Sequence, residues 1–506
     1  KDLKALLGMS RPESFPDLVV VTSAFGSEGD IGPMLALARE TRRVAPVTTR
    51  VVFVSNPKFT PPEAKPSRPE TPDESPETHD EKCLEFIGVG KKEAYDAMLS
   101  DSATRTDKRV LPHYWLSHLD EHFAALRTLI VPAICDSSNK KVVLVAHPLD
   151  LAAKVFEEWL EVRNFQETNA PYIPSVTCVT CALSPAMLRC EDVRSPVFGG
   201  CLGGLITKRP KLAWQVNDLL VDVAFAGKLN KFRRRILFLD KSLKSVTGVY
   251  RDWFLCHGGV LAMWPPWFGS PHPEWPKNTV QCGFPGERKE IKETESSESS
   301  DDLSFLDSAD KSVWVFMVSS GNPPHGAAFF RAAVAIATRA NVHCILLTRQ
   351  TQVVPNAEEV ERLLEKNKSK KKKNALQQNI KVRHFQHVDL RLVLSHANCS
   401  GLVHSGGVGT CAVALSTKMP QLIVPNAWDQ HDNAARANRI GLAKEISIKN
   451  FVSLRNAKRN AWVILELDAA RKCARDKLER CETFDRDAST WEGTGRAAKH
   501  VLAFGR

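Results

Sequence analysis

Short, unbroken apolar runs rich in β-branched residues recur along the chain, and each gives way to a turn and then to helical spacing. Asp17–Ser23 reads DLVVVTS, Thr49–Ser55 reads TRVVFVS, and Lys141–His147 reads KVVLVAH with a helical stretch from Leu151 to Val162 behind it. Further on the same style begins afresh: Ser312–Ser320 reads SVWVFMVSS, Ala327–Ala340 has helical spacing, and VHCILLT, SGLVHSGG and PQLIVPN supply more strands. A strand that is apolar along its whole length must be covered on both faces, which a parallel sheet flanked by helices provides. The pattern predicts an α/β protein with two doubly wound parallel-sheet domains in tandem. Ligands of such sheets bind at the carboxyl ends of the strands, so the cleft between the halves is the expected site.

The interruption between the halves is Glu287–Asp302, ERKEIKETESSESSDD, an acidic, Ser-rich stretch nearly free of apolar residues. It reads as a linker. The expected division is an acceptor-side domain over 1–286, a linker over 287–310 and a second domain over 311–489. Residues 490–506 would form a terminal helix able to pack back on the first domain. Pro61–Lys82 carries six prolines among acidic and hydroxyl residues and reads as an excursion from the first domain.

Composition narrows the function classes. The 506 residues are 43% hydrophobic and 25% charged, ordinary for a globular chain. No apolar run is long enough to cross a bilayer as a helix. The start at Lys1 is not signal-like, and the expected location is cytoplasmic, with peripheral contact at a membrane surface. The net charge of +11 is concentrated: Lys366, Lys368 and Lys370–Lys373 alone carry six positive charges. That run reads as a solvated insertion loop or as an attraction to anionic lipid. No aromatic residues interleave with it, and no nucleic-acid partner is expected. The thirteen cysteines sit mostly in apolar runs, which fits free thiols; Cys178 and Cys181 form a CxxC with no second pair at zinc spacing.

The most informative segment is Gly401–Leu415, GLVHSGGVGTCAVAL. Gly406, Gly407 and Gly409 crowd the turn between a strand and a helix. Glycines let backbone amides approach an anion, and the helix N-terminus adds partial positive charge, so the turn suits phosphate. Thr410 adds a hydroxyl at the helix start, and His404 ends the strand. Gly407 to Ala412 also matches G-x-G-x-x-A, which opens a dinucleotide reading with Asp429, about twenty residues on, as the ribose acid. Against it, Asp429 lies in a loop beyond PQLIVPNAW and is followed by Gln430. A carboxylate and an amide side by side can hold two vicinal hydroxyls of a sugar; Asp429 can equally cap the helix around His431–Ile440.

Taken together, HSGGVGTCAVALSTKMPQLIVPNAWDQHDNAARANRIGLA resembles the donor-binding signature of GT-B nucleotide-sugar glycosyltransferases, the UDP-glycosyltransferase superfamily, and within it the sterol and macrolide branch. The residues that carry the resemblance are the His404-x-Gly-Gly-x-Gly-Thr turn, Pro420 with the strand to Pro425, and Asp429–Gln430. The family's early turn of the type G-S-x-G-D-x-x-P is matched by Gly26–Pro33, GSEGDIGP. Residues 310–445 match well, the first 60 weakly, and 60–250 in layout only. Ser405 stands where many relatives have a second His, and SSGN replaces a commoner Gly-Ser pair.

The resemblance implies a GT-B fold and an inverting enzyme that moves a hexose, glucose foremost, from a UDP-sugar to a hydroxyl of a sterol, lipid or other apolar acceptor. It implies no cofactor and no metal, UDP-glucose being a substrate. The alternative is a non-catalytic GT-B-like or NAD(P)-binding protein. Carried over, His404 contacts the donor diphosphate and the amides of Gly406–Thr410 hold its phosphates. Asp429 and Gln430 hold the sugar. Ser320 and Gly321 provide a phosphate or hinge contact, and Gln386 lies at the nucleobase. Asp30 is the implied base, unless it merely caps a helix begun near Pro33. His147 reaches the same cleft edge from its own strand and could orient Asp30 or touch the acceptor. The Trp-rich stretch Asp252–Trp275, with Trp264 and Trp267, is either a core feature or a wall of an apolar acceptor pocket.

Overall fold

The structure, a computed structural model, describes residues 18–66, 83–104, 114, 116–135, 141–166, 176–190, 209–237, 249, 253, 255–286, 304–318, 326–367, 380–426, 428–441, 443–466 and 491–505. The strands are β1 (Leu18–Ser23), β2 (Thr49–Ser55), β3 (Lys65–Pro66), β4 (Glu85–Gly88), β5 (Lys141–Ala146), β6 (Val176–Ala182), β7 (Val260–Ala262) and β8 (Thr279–Gln281), then β9 (Val313–Met317), β10 (His343–Leu347), β11 (Val382–Phe385), β12 (Cys399–His404), β13 (Gln421–Ile423) and β14 (Ala443–Glu445). The helices that position the site are α1 (Glu28–Val44), α2 (Leu119–Cys135), α3 (Leu151–Gln166), α4 (Pro210–Leu237), α5 (Gly326–Ala340), α6 (Val408–Ser416), α7 (Gln430–Ile440) and α8 (Gly493–Phe504).

The strands form two sheets, ordered β3-β4-β2-β1-β5-β6-β7-β8 and β11-β10-β9-β12-β13-β14. Every strand pair is parallel. The two-domain, Rossmann-like parallel architecture expected from the apolar runs is what the chain adopts. Burial explains why those runs lack alternation. In β1, Val19 and Val21 join a core with α2, α3 and α4, while Val20 faces the opposite core with α1 and α8. In β9, Trp314 and Phe316 face α5 and Val313 and Val315 face the other side. Each strand is apolar on both faces because helices cover both.

In the first sheet the chain runs outward from β1 in one direction through β2 and in the other through β5. In the second sheet the same reversal falls between β9 and β12. Such switch points open a crevice at the carboxyl ends of the two strands, because their crossover helices leave to opposite faces. The loops that follow β1, β5 and β12 therefore border these crevices.

Candidate active site

On the first domain the turn after β1 is built around one carboxylate. Ser27 caps α1, and the Asp30 Oδ2 accepts hydrogen bonds from the Ser27 backbone N and from Ser27 Oγ, both at 2.8 Å. This reciprocal capping box starts the helix at Glu28, so Pro33 lies inside it and not at its start. The structure thus corrects the placement of the helix start: a proline suits a first turn, but the Ser-x-x-Asp pair three residues earlier satisfies the free amides. Gly26 has no room for a side chain, since a Cβ there would sit 2.6 Å from Asp30 Oδ2.

Capping uses only one oxygen of Asp30. The other, Oδ1, lies 3.7 Å from His147 Nε2. His147 follows β5, its backbone N donates to the Ser23 carbonyl at 3.0 Å, and its side chain is buried. Its Nδ1 accepts from the Leu149 backbone N at 3.3 Å, which leaves the ring proton on Nε2, toward Asp30. Burial pulls the His147 pKa below the ordinary value, against the raising effect of Asp30 and then Asp150. The imidazole is therefore neutral at physiological pH and acts on Asp30 as a dipole.

Beside this pair is a small recess lined by Phe25, His118, Leu119, His122, Leu149 and Asp150. His122 Nε2 is 2.8 Å from Ser23 Oγ and 3.5 Å from Asp150 Oδ2, and Asp150 Oδ1 accepts from the Ala153 backbone N at the start of α3. Ser23, His122 and Asp150 are not expected site residues on sequence grounds, since no local motif joins them. The available signal was the spacing of His118 and His122, four apart and so on one helical face.

On the second domain, the turn after β12 is shaped from below by His404. The ring is buried; Nδ1 accepts from the Gly406 backbone N at 3.2 Å, so Nε2 carries the proton and donates to Gln421 Oε1 at 3.0 Å. Burial pushes its pKa down to about 4 although the Gln421 bond opposes this. Both ring nitrogens are thus occupied within the protein. In this arrangement the ring fixes the turn, through Gln421 on one side and the Gly406 amide on the other.

Gly406 adopts φ +92°, and a Cβ there would meet Ile423 Cγ2 at 2.8 Å and the Gln430 carbonyl at 3.0 Å. Gly407 caps α6, and positions 407 and 409 face open space, with no atom within 4 Å of a built Cβ. Thr410 lies in the first turn of α6, half-buried. The turn therefore places backbone amides at a helix N-terminus, with open space at the Cβ positions of Gly407 and Gly409.

Asp429 and Gln430 follow Trp428, which holds φ +57°, and they open α7. Asp429 stands at the N-cap position without capping through its side chain; its Oδ2 accepts from Asn433 Nδ2 at 2.8 Å. The same Nδ2 donates to the Gly406 carbonyl at 3.0 Å, so Asn433, four residues on from Asp429, ties the turn to the acid. Gln430 Oε1 accepts from the Asn426 backbone N at 2.9 Å. β13 ends at Ile423, six residues before Asp429, so this acid does not close the strand next to the glycine turn as a ribose acid of a dinucleotide site would.

The two domains meet at these residues. Ser184, just after β6, donates from Oγ to Asn433 Oδ1 at 3.1 Å. Burial raises the Asp429 carboxyl to about 6, and the charge of Asp30 adds to the rise while Asn433 and Ser184 lower it. The acids of the two glycine-rich turns, 399 positions apart in the chain, thus act on each other across the cleft. Nearby, the buried Asp432–Arg436 pair at 2.6 Å extends through Arg436 Nη1 to the Phe268 carbonyl at 3.0 Å.

Other expected site residues lie elsewhere. Trp264 is fully buried, its Nε1 donating to the Gly269 carbonyl, and with Trp267, Phe268 and Phe284 it packs against Ala412 and Leu415 of α6. Trp267 packs against the Trp491 ring. These indoles pack in the apolar seam between the domains, Trp264 fully buried and Trp267 half-buried. Gln386 is exposed just past β11. Ser320 and Gly321, and the lysine run from Lys368 on, lie outside the described residues. Cys178 and Cys181 are free and buried, and burial raises both thiols, as inert core thiols require.

Residues 352–471 match the family model described as "Erythromycin biosynthesis protein CIII-like, C-terminal domain". No curated protein matches the chain in sequence. Among solved structures, the glycotransferase of kitacinnamycin superposes with a TM-score of 0.57 at 15% identity, covering 97% of this chain and 100% of that one. The calicheamicin glycosyltransferase CalG4 gives 0.54 at 15% identity, with 96% and 98% covered. UGT71G1 of Medicago truncatula, complexed with UDP-glucose, gives 0.54 at 12% identity, with 96% and 98% covered. Likeness along whole chains at such low identity shows the fold: two Rossmann-like domains in the GT-B arrangement.

Proposed function

We propose that the chain is an inverting glycosyltransferase that moves a hexose, glucose foremost, from a UDP-sugar to a hydroxyl of a sterol, lipid or other apolar acceptor. The observation that carries this reading is the meeting of the two turns: an open-faced glycine turn with Asp429 and Gln430 on one wall, and Asp30 with one uncommitted oxygen on the other. Family match and structural likeness both fall on glycosyltransferases, and the matched region contains the glycine turn.

The chemistry divides between the walls. Asp30 Oδ1 takes the acceptor proton as the hydroxyl oxygen attacks the anomeric carbon. Capping fixes Oδ2, so the carboxylate is aimed, and His147 Nε2–H stabilises its charged form. The amides of residues 407–410 and the positive end of α6 receive the charge that develops on the departing diphosphate. His404 acts through the turn as a positioning residue. Asp429 and Gln430 take the sugar hydroxyls, and attack from the side opposite the diphosphate inverts the anomeric centre.

Asp30→Asn tests the reading. At this third helical position Asn keeps an amide oxygen that can accept from the Ser27 amide and hydroxyl, so the helix start is kept and melting temperature and UDP affinity should stay near wild-type values. Turnover should fall by about 10² to 10⁴. The measurement is mass spectrometry of products from sterol, lipid and phenol acceptors with several UDP-sugars. Transfer by the variant at the wild-type rate removes Asp30 as the base; absence of transfer and of UDP binding in the wild type removes the function.

A further inference from the structure

α4 is apolar where a surface helix should be polar. Its inner face packs on α2 and α3 through Phe225, Leu229 and Phe232. Its outer face carries Leu212, Leu219 and Val223, seven and four residues apart along one stripe, with Leu220 beside them; Leu219 is 62% and Val223 78% exposed. A stripe of large aliphatic side chains left in water on an otherwise well-covered domain marks an interaction surface.

The charge along the same helix names the partner. After Asp222 the helix contains no acid, and its last three turns carry exposed Lys228, Lys231, Arg234 and Arg235, while Arg233 is buried against Glu158. An outward aliphatic stripe followed by a cationic end is the composition of a helix that lies in a membrane interface, where aliphatic side chains enter the acyl boundary and cations meet anionic headgroups. We propose that the outer face of α4 docks this protein on an anionic lipid surface.

The position of α4 gives the docking a purpose. Arg235 pairs with Asp120 in the first turn of α2, next to His118, Leu119 and His122 of the recess beside Asp30. The basic end of the docking helix therefore stands by the acceptor-side recess. A protein held on a bilayer by α4 would present that recess to hydroxyls borne by the lipid phase. This consequence rests on the glycosyltransferase reading; the docking itself does not.

The test is co-sedimentation of the full chain with vesicles of phosphatidylcholine alone and of phosphatidylcholine with about one third phosphatidylserine. Binding to the anionic vesicles is expected, weakening as salt is raised. The double variant Leu219→Ser/Val223→Ser should keep its melting temperature and UDP affinity, since both side chains point to water, and should partition about tenfold less. Lys231→Glu with Arg234→Glu should reduce binding most at low salt. The proposal is overturned by wild-type protein that ignores anionic vesicles. Equal binding by the Leu219/Val223 variant also overturns it, because another surface, such as the lysine run, would then do the docking. So does self-association in sedimentation velocity that the double variant abolishes without any vesicle binding, because a second copy would then cover the stripe. UDP calorimetry on the same samples reports separately on the catalytic reading.

Discussion

At the residue scale, Asp429 shows how a site can weaken the fold that holds it. A carboxyl raised to about 6, against an ordinary value near 3.9, is more protonated in the folded chain than in the unfolded one between those two pH values. Folding stability must therefore fall as pH rises through that window and stay lowered above it. Asp429→Asn removes the titration and keeps a partner for Asn433. The variant should melt higher than wild type at pH 7.5 and equally at pH 4, as scanning calorimetry at the two pH values would show. Its donor KM should rise while UDP affinity holds. An unchanged melting temperature at pH 7.5 would mean that the charged Asp429 carboxylate is not strained in the fold. His404 makes the complementary point. A histidine at the end of an apolar strand gives no sign in sequence of which way its nitrogens point. Only Gln421, brought alongside by the β12–β13 pairing, decides that the ring faces inward.

At the scale of elements, the glycine turn after β12 separates two uses of one residue type. Gly406 is required by the fold, because its φ is positive and a Cβ would strike Ile423 and the Gln430 carbonyl. Gly406→Ala should cost about 1–3 kcal/mol in urea unfolding. Gly409 has open space before it, so Gly409→Ala should leave stability unchanged or higher, since alanine favours helix by roughly 0.5–1 kcal/mol. The same change should weaken UDP binding by filling space that the phosphates need, which calorimetry can measure. Equal stability losses in the two variants would contradict this division. The long apolar strands β1, β2, β5, β9, β10 and β12 were legible because burial on both faces leaves a run that nothing else explains. β7 and β8, three residues each, were not: Val260–Ala262 is embedded in an aromatic stretch whose packing partners come from α6 and Trp491. The start of α1 is ambiguous in sequence because both Pro33 and the Ser27–Asp30 pair suit a first turn, and the capping box decides it. The recess was hidden because Ser23 and His122 are 99 positions apart, and no local pattern joins them.

At the scale of the whole molecule, α8 follows the second domain in the chain and belongs to the core of the first domain. Ala497, Ala498 and Val501 are buried against α1 beneath the first sheet, and Gly493 and Thr494 bond to the Phe284 and Gly286 carbonyls. Val501→Asp would place an unpaired charge in that core, at a cost of about 3–5 kcal/mol. Calorimetry should show the unfolding step that UDP does not shift moving down, with the UDP-sensitive step in place. Movement of both steps together would indicate that the domains unfold as one unit. The same helix imposes an order on biosynthesis. A domain usually closes as soon as its own residues leave the ribosome. Here β1 and α1 emerge some 450 residues before the helix that shields one of their faces. At roughly 5–20 residues per second that is on the order of half a minute to a minute and a half. Throughout that interval the face of the first domain that Ala497, Ala498 and Val501 cover has not yet received its helix, so the last step in closing this core waits on translation of a segment that lies beyond the whole second domain.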